Sequence, residues 1–166
     1  MAATVQTRIR RSNTIKRSPM DLYDYWRDLS NLPELMPYLE RVIMSDTTRS
    51  RWYARTPGGQ SIEWNARITE DEPGRVIAWE SEEDADMASS GSVRFSPAPG
   101  DKGTEVVVDM NYDPPGGALG DMVSKLLGEN PAQVLTEGLR RFKRRMEAGE
   151  IPTIESQPRG TCGKGR

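Results

Sequence analysis

The chain has 166 residues, of which 35% are hydrophobic and 29% charged, with a formal net charge of −2. This length fits one domain that buries roughly two-thirds of its unfolded surface, so the modest apolar content must be concentrated on one face of each element. Histidine is absent and Cys162 is the single cysteine, which excludes zinc sites built from Cys and His, imidazole catalysis and Cys–His nucleophiles. We therefore predict no metal site and no cofactor.

The cysteine content and the charge of the chain limit where the protein can be located and which partners it can bind. One cysteine gives no disulfide framework, and there is no signal-peptide core and no run of about 18 apolar residues. We therefore expect a cytoplasmic protein without a transmembrane segment. Basic residues are concentrated at Arg8 to Arg17 and at Arg140 to Arg145, but the overall balance of charges is not that of a nucleic-acid-binding protein, so no nucleic-acid partner is predicted.

The N-terminal region predicts one strand followed by helices. Val5 to Lys16 is rich in β-branched residues and is predicted as the first strand. Ser18-Pro19-Met20-Asp21 is typical of a helix N-terminus, with a capping serine and a proline at the first helical position. A helix is predicted over Pro19 to Leu29, where apolar residues recur every three or four positions, and a second short helix over Glu34 to Tyr38.

Six further strands are predicted, separated by turn sequences rich in proline and glycine. They cover Glu40 to Asp46, Arg51 to Thr56, Gln60 to Glu70, Arg75 to Ser81, Gly91 to Ser96 and Thr104 to Asp113. Alternation puts Trp64 and its apolar neighbours on one face of its strand, and Val108 and Met110 on one face of the last strand. This pattern predicts an antiparallel sheet of successive hairpins with one apolar face.

The last predicted element is a long helix over Ala118 to Ala148, with a break at Gly128-Glu129-Asn130-Pro131. A single helix laid across a curved sheet covers one face and leaves a hollow between the two. Residues 1–150 are therefore predicted to form a single ligand-binding domain, and residues 151–166 a flexible terminal tail.

Several segments spread over residues 8 to 150 carry a family resemblance. They include Tyr23-Asp24-Tyr25-Trp26-Arg27-Asp28, Asn31-Leu32-Pro33-Glu34-Leu35-Met36, Ile62-Glu63-Trp64, Gly91-Ser92-Val93-Arg94-Phe95 and Tyr112-Asp113-Pro114-Pro115-Gly116-Gly117. Taken together they resemble the SRPBCC or START-like (Bet v 1-like) superfamily, in its polyketide cyclase/dehydrase-like branch. The resemblance implies an α+β helix-grip fold, in which a seven-stranded curved antiparallel sheet wraps around a long, broken C-terminal helix. It also implies a cavity for apolar small molecules, without a constant catalytic motif.

Residues on the predicted inward faces are the candidates for the wall of this cavity. They are Trp26, Met36, Trp64, Trp79, Phe95, Val108, Met110, Tyr112, Met122, Leu126, Leu135 and Leu139. Trp and Tyr offer a large apolar surface with a polar edge, and Met offers an adaptable one. The same residues would serve equally well as a packed core.

Three functions are compatible with these features. The favoured one is binding of an apolar small molecule that is lipid, quinone or polyketide-like; the alternatives are a polyketide cyclase or dehydratase-type enzyme and a stress-related interaction protein. If an acid is catalytic, Glu34 and Asp113 are the candidates. The cluster Arg140 to Arg145 is either a peripheral contact for anionic lipid or a solvated helix end that the helix dipole favours. The oligomeric state is left open.

Overall fold

The computed structural model describes residues 7–55, 59, 61–82, 89–112 and 131–148. The strands are β1 (Thr7–Ile15), β2 (Leu39–Met44), β3 (Arg49–Arg55), β4 (Ser61–Glu72), β5 (Val76–Ser81), β6 (Ser89–Pro97) and β7 (Thr104–Tyr112). The helices are α1 (Pro19–Arg27) and α2 (Pro131–Ala148), with 3-10 helices at Leu29–Glu34 and Pro99–Asp101. Residues 113–130, which include part of the predicted long helix and its break, lie outside the described residues.

All seven strands form one antiparallel sheet in the order β1-β7-β6-β5-β4-β3-β2. The apolar face follows from alternation: in β7, Val106 and Val108 are fully buried and Met110 is 5% exposed, whereas Glu105, which precedes Val106, is exposed. The sheet is curled, and the helices lie on its concave side. The predicted helix-grip fold class is therefore confirmed.

The segment after β1 forms α1 because Ser18 caps it. The Ser18 hydroxyl accepts a hydrogen bond from the Asp21 backbone N–H at 3.2 Å, and Pro19 occupies the first turn, where its missing N–H costs nothing. The short helix predicted at Glu34 to Tyr38 is wrong. Asp28 instead accepts from the Ser30 N–H and starts a 3-10 helix over Leu29–Glu34, so the helical turn comes earlier in the chain.

Helix α2 is fastened along β1 by polar contacts. Lys143 Nζ donates to the Thr14 carbonyl at 2.7 Å, and the Glu147 carboxylate accepts from the Lys16 N–H at 2.9 Å. Arg17 donates to the Met146 carbonyl at 2.7 Å. The apolar side of α2 is buried as predicted, through Leu135, Leu139, Phe142 and Met146. These contacts hold α2 on the edge strand while its apolar side covers the sheet.

Gly91 on β6 permits a close approach on the concave side of the sheet. A Cβ atom at this position would lie 2.7 Å from Trp79 Cζ2 and 2.8 Å from Met110 Sδ. We expect Gly91→Ala to lower the free energy of unfolding by about 1–3 kcal/mol, because the ring and the thioether must shift. Ser92→Ala, on the opposite face of the same strand, should change it by less than about 0.5 kcal/mol. Urea denaturation of both variants tests this; equal stabilities would contradict the close contact.

Candidate functional site

A row of tryptophan rings lines the concave face of the sheet. Trp64 on β4 stacks on Trp52 of β3 with ring centroids 5.8 Å apart, and Trp52 stacks on Trp79 of β5 at 6.4 Å. Trp26 of α1 adjoins Trp79 at 6.4 Å. Each side chain is 5% exposed or less, so the four rings form one continuous buried aromatic surface, here called the tryptophan row.

The sheet register explains how rings from separated strands meet. Trp52 and Trp64 are direct cross-strand partners, the arrangement in which side chains on one face lie closest. Trp79 comes from β5, on the other side of β4. The buried residue Ala66 belongs to β4 and faces inward. Along β4, Ala66 lies between Trp64, the cross-strand partner of Trp52, and Ile68, the cross-strand partner of Trp79. The Trp52 Nε1–H is satisfied by the buried Ser50 hydroxyl at 2.8 Å.

Trp26 joins α1 to both the sheet and α2. Its ring meets Phe142 of α2 edge to face, with centroids 5.3 Å apart and planes at 75°. Its Nε1 atom is buried and has no hydrogen-bond acceptor among the described residues. Trp26 therefore joins these elements through contacts of its ring.

A polar network outside the core fixes the position of α1. The Tyr23 hydroxyl donates to one carboxylate oxygen of Asp71 at the end of β4, and Arg27 Nε donates to the other at 2.9 Å. Arg27 also donates to the Thr47 carbonyl at 2.5 Å. Burial and, next, the hydrogen bond to Asp71 raise the pKa of Tyr23 to about 12. The network anchors the helix that carries Trp26.

Most of the predicted wall residues lie in one apolar cluster. Among the described residues these are Trp26, Met36, Trp64, Trp79, Phe95, Val108, Met110, Leu135 and Leu139, all 5% exposed or less. Met122, Leu126 and the side chain of Tyr112 lie outside the described residues. Met36 lies against α2, because a Cβ at Gly138 would be 3.6 Å from its Cγ atom.

Sequence reasoning missed two aromatic residues of this cluster. Trp52 lies on the same face of β3 as the buried residues Ser50 and Ala54. The period-two spacing of these three residues is visible in the sequence. Tyr23 lies beside the predicted apolar stripe of α1, yet it is 7% exposed and packs edge to face on Phe95. Its burial depends on Asp71, which lies 48 positions along the chain, so no local pattern could show it.

Charged groups are kept away from the concave face. The buried polar residues among those described are Ser50 and Thr104, and neither is charged. The convex face carries exposed ion pairs such as Arg51–Glu63 at 2.5 Å. Glu34, a candidate catalytic acid, is exposed and paired with Arg145 at 2.6 Å, while Asp113 lies outside the described residues.

The described residues contain neither a metal-binding cluster nor a membrane-spanning helix. No group of three or more Cys, Asp or Glu side chains within these ranges could hold a metal ion. In the same ranges, no helix has the length and apolar character needed to cross a membrane.

The curled sheet with its C-terminal helix defines a START-like helix-grip protein, and comparison with known proteins gives the family. The model of the family "Polyketide cyclase / dehydrase and lipid transport" matches residues 15–140. The chain therefore belongs to this family.

Solved structures share the fold of this chain. DR_A0006 from Deinococcus radiodurans is 42% identical, over 86% of this chain and 98% of that chain, with a TM-score of 0.71. A START superfamily protein from Mycobacterium smegmatis (16% identity, 84% and 98% coverage, TM-score 0.65) shares the fold. So does the Zhui aromatase/cyclase from Streptomyces sp. R1128 (18%, 87% and 98%, TM-score 0.65). A search of curated proteins finds no match.

The hydrogen bond from the Tyr23 hydroxyl to Asp71 predicts a change in stability at high pH. Because the folded-state pKa is raised from 10 to about 12, the stabilisation is complete below pH 10 and is lost as the pH rises towards 12. Tyr23→Phe should cost about 1 kcal/mol at pH 8 through loss of the hydrogen bond. The difference in unfolding free energy between wild type and variant should shrink between pH 10 and 12. A difference that stays constant across this window would contradict the raised pKa of Tyr23.

Proposed function

We propose that this protein binds an uncharged apolar small molecule, of lipid, quinone or polyketide-like structure, against the concave face of its sheet. One observation carries the proposal: among the described residues, the tryptophan row and its neighbours form a large aromatic surface with no buried charged side chain. Such walls are typical of pockets for small apolar ligands. The family's description, which includes lipid transport, supports the same class of ligand.

The physical driving force would be removal of apolar surface from water. Burial contributes roughly 25 cal/mol per Å², so a ligand that buries a few hundred Å² gains several kcal/mol without a charged contact. Met110 and Met36 would adapt the wall to the ligand, because the thioether side chain is flexible and polarisable. Ligand selection would then depend on size and shape.

Catalysis in the same cavity is the alternative. The Zhui protein is described as an aromatase/cyclase, and at 18% identity its likeness to this chain supports the fold alone. Tyr23 is the titratable side chain buried among the described residues of this face, and its pKa of about 12 makes it a poor general base near neutral pH. Binding is therefore the function we propose.

We also propose the organisation of the chain around this function. Residues 1–150 would form one ligand-binding domain and residues 151–166 a terminal tail. The single cysteine supports a reducing, cytoplasmic location.

Ligand capture tests the proposal. The purified full-length protein is incubated with a mixed lipid and quinone extract, and mass spectrometry identifies what stays bound after gel filtration. We expect one uncharged apolar molecule per chain. Retention of charged molecules only would contradict apolar binding. Conversion of a polyketide substrate to a cyclised product would show a catalytic function instead.

Paired variants on β7 locate the captured ligand. Val108 is fully buried on the concave face, whereas Val107 belongs to the opposite face and is half-buried. Val108→Phe should weaken binding of the captured molecule at least tenfold by filling its space, and Val107→Phe should leave binding unchanged. If Val108→Phe does not fold, Val108→Ala should still alter affinity because it enlarges the space. Unchanged affinity in a folded Val108 variant would place the ligand elsewhere.

Binding to this face should also be insensitive to salt. Because no described charged side chain is buried there, raising the ionic strength should leave affinity flat or improve it slightly, and chelators should have no effect. Titrations of the captured ligand at low and physiological salt test this. A steep fall in affinity with salt would indicate an electrostatic site.

A further inference from the structure

A second concavity lies on the outer surface, between residues 17–34, which include α1, and the last turns of α2. It has a volume of about 750 Å³. Four arginines line it, Arg17, Arg141, Arg144 and Arg145, together with Tyr25 and Glu34. We call it the arginine pocket. These ionisable lining residues carry four positive charges and one negative charge in a chain whose overall net charge is −2.

The arginines of two neighbouring strands on the convex sheet face are paired with carboxylates. Each arginine of β3 and the one on β4 lies within 3.6 Å of a carboxylate: the pairs are Arg49–Glu82, Arg51–Glu63, Arg55–Glu40 and Arg67–Glu80. In the arginine pocket, Arg145 pairs with Glu34 at 2.6 Å and Arg17 with Asp21 at 3.0 Å. Neither Arg141 nor Arg144 has a carboxylate partner among the described residues. Two guanidinium groups without a carboxylate partner therefore lie together in one concavity.

Contacts with the backbone and with a ring hold the guanidinium groups in place. Arg141 donates to the Leu35 carbonyl at 3.3 Å, and Arg17 donates to the Met146 carbonyl at 2.7 Å. The Arg145 guanidinium lies 5.8 Å from the centroid of the Tyr25 ring. Positively charged groups from two distant parts of the chain thus face one concavity, and these contacts hold three of the four arginines.

The helix dipole does not account for this arrangement. It favours cations in the last turns of α2 by about 0.3–1 kcal/mol each, whichever direction their side chains take. It gives no reason for Arg17, which follows β1, to converge on them. Arg141, Arg144 and Arg145 are also three and four positions apart, so they repel one another along the same side of the helix. A bound anion would remove that repulsion.

We propose that the arginine pocket binds a phosphate group, presented by a phosphate monoester or by the headgroup of an anionic phospholipid. Guanidinium forks match phosphate oxygens in bidentate geometry. The two arginines without carboxylate partners match the double charge of a monoester, and Tyr25 and Met146 provide apolar contact for the group that carries it. The site is separate from the concave face and stands independently of the function proposed above.

Titration with glycerol 3-phosphate tests the site on the full chain. Arginine Nε–Hε NMR signals report binding, and glycerol is the uncharged control. We expect saturable binding that Arg144→Gln and Arg141→Gln each weaken about tenfold, through loss of a charge-assisted contact. Arg144 is exposed and has no described partner, so its substitution should leave the melting temperature unchanged.

Arg140→Gln is the matched control. This residue lies on the same helix, is exposed and pairs with Glu137 at 3.1 Å outside the pocket. It should leave phosphate affinity unchanged at constant ionic strength. An equal loss in Arg140→Gln and Arg144→Gln would overturn the site in favour of a general effect of charge.

Vesicles separate the two sources of phosphate. Phosphatidylcholine vesicles with and without phosphatidic acid are sedimented with the wild type and with Arg144→Gln. Binding that requires phosphatidic acid and Arg144 indicates a membrane headgroup, and binding of glycerol 3-phosphate without any vesicle preference indicates a free monoester. The proposal is overturned if neither probe binds, or if Arg144→Gln and Arg141→Gln bind both probes as the wild type does.

Discussion

The contact of Trp26 with Trp79 and Phe142 is the interaction on which the rest of the structure depends. It is the point where α1, the sheet and α2 meet, with ring centroids 6.4 and 5.3 Å apart. Each helix is also held by its own polar contacts, α1 through Asp71 and α2 through the end of β1. The Trp26 ring joins the two helices to each other. Removing an aromatic side chain of this kind from a core typically costs about 3–5 kcal/mol.

The two faces of the sheet solve different physical problems. The concave face excludes charge and presents aromatic and sulfur-containing side chains, so its affinity for a ligand must come from apolar burial. The convex face is covered by exposed arginine–carboxylate pairs, which keep it hydrated and contribute little to stability individually. In the arginine pocket, Arg141 and Arg144 lie together and neither has a carboxylate partner among the described residues.

Local patterns predicted the elements, and contacts between distant segments decided the details. Alternation identified the buried face of β7, and the Ser18 cap identified the start of α1, because both signals lie within a few residues. The 3-10 helix at Leu29–Glu34 depends on the Asp28 cap, whereas the apolar spacing places Asp28 inside the predicted helix Pro19 to Leu29. The burial of Tyr23 and the need for glycine at position 91 depend on side chains from other strands, so spacing along the chain could not predict them.

The most direct test of apolar binding on the concave face is an NMR measurement on protein labelled at the methionine methyl groups. Met110 is 5% exposed on the concave face, whereas Met20 on α1 is 46% exposed and serves as the outer reference. With the captured ligand bound, we expect nuclear Overhauser contacts from ligand protons to the Met110 methyl and none to the Met20 methyl. Contacts to Met20, or to the Met146 methyl of the arginine pocket, without any to Met110 would contradict the account.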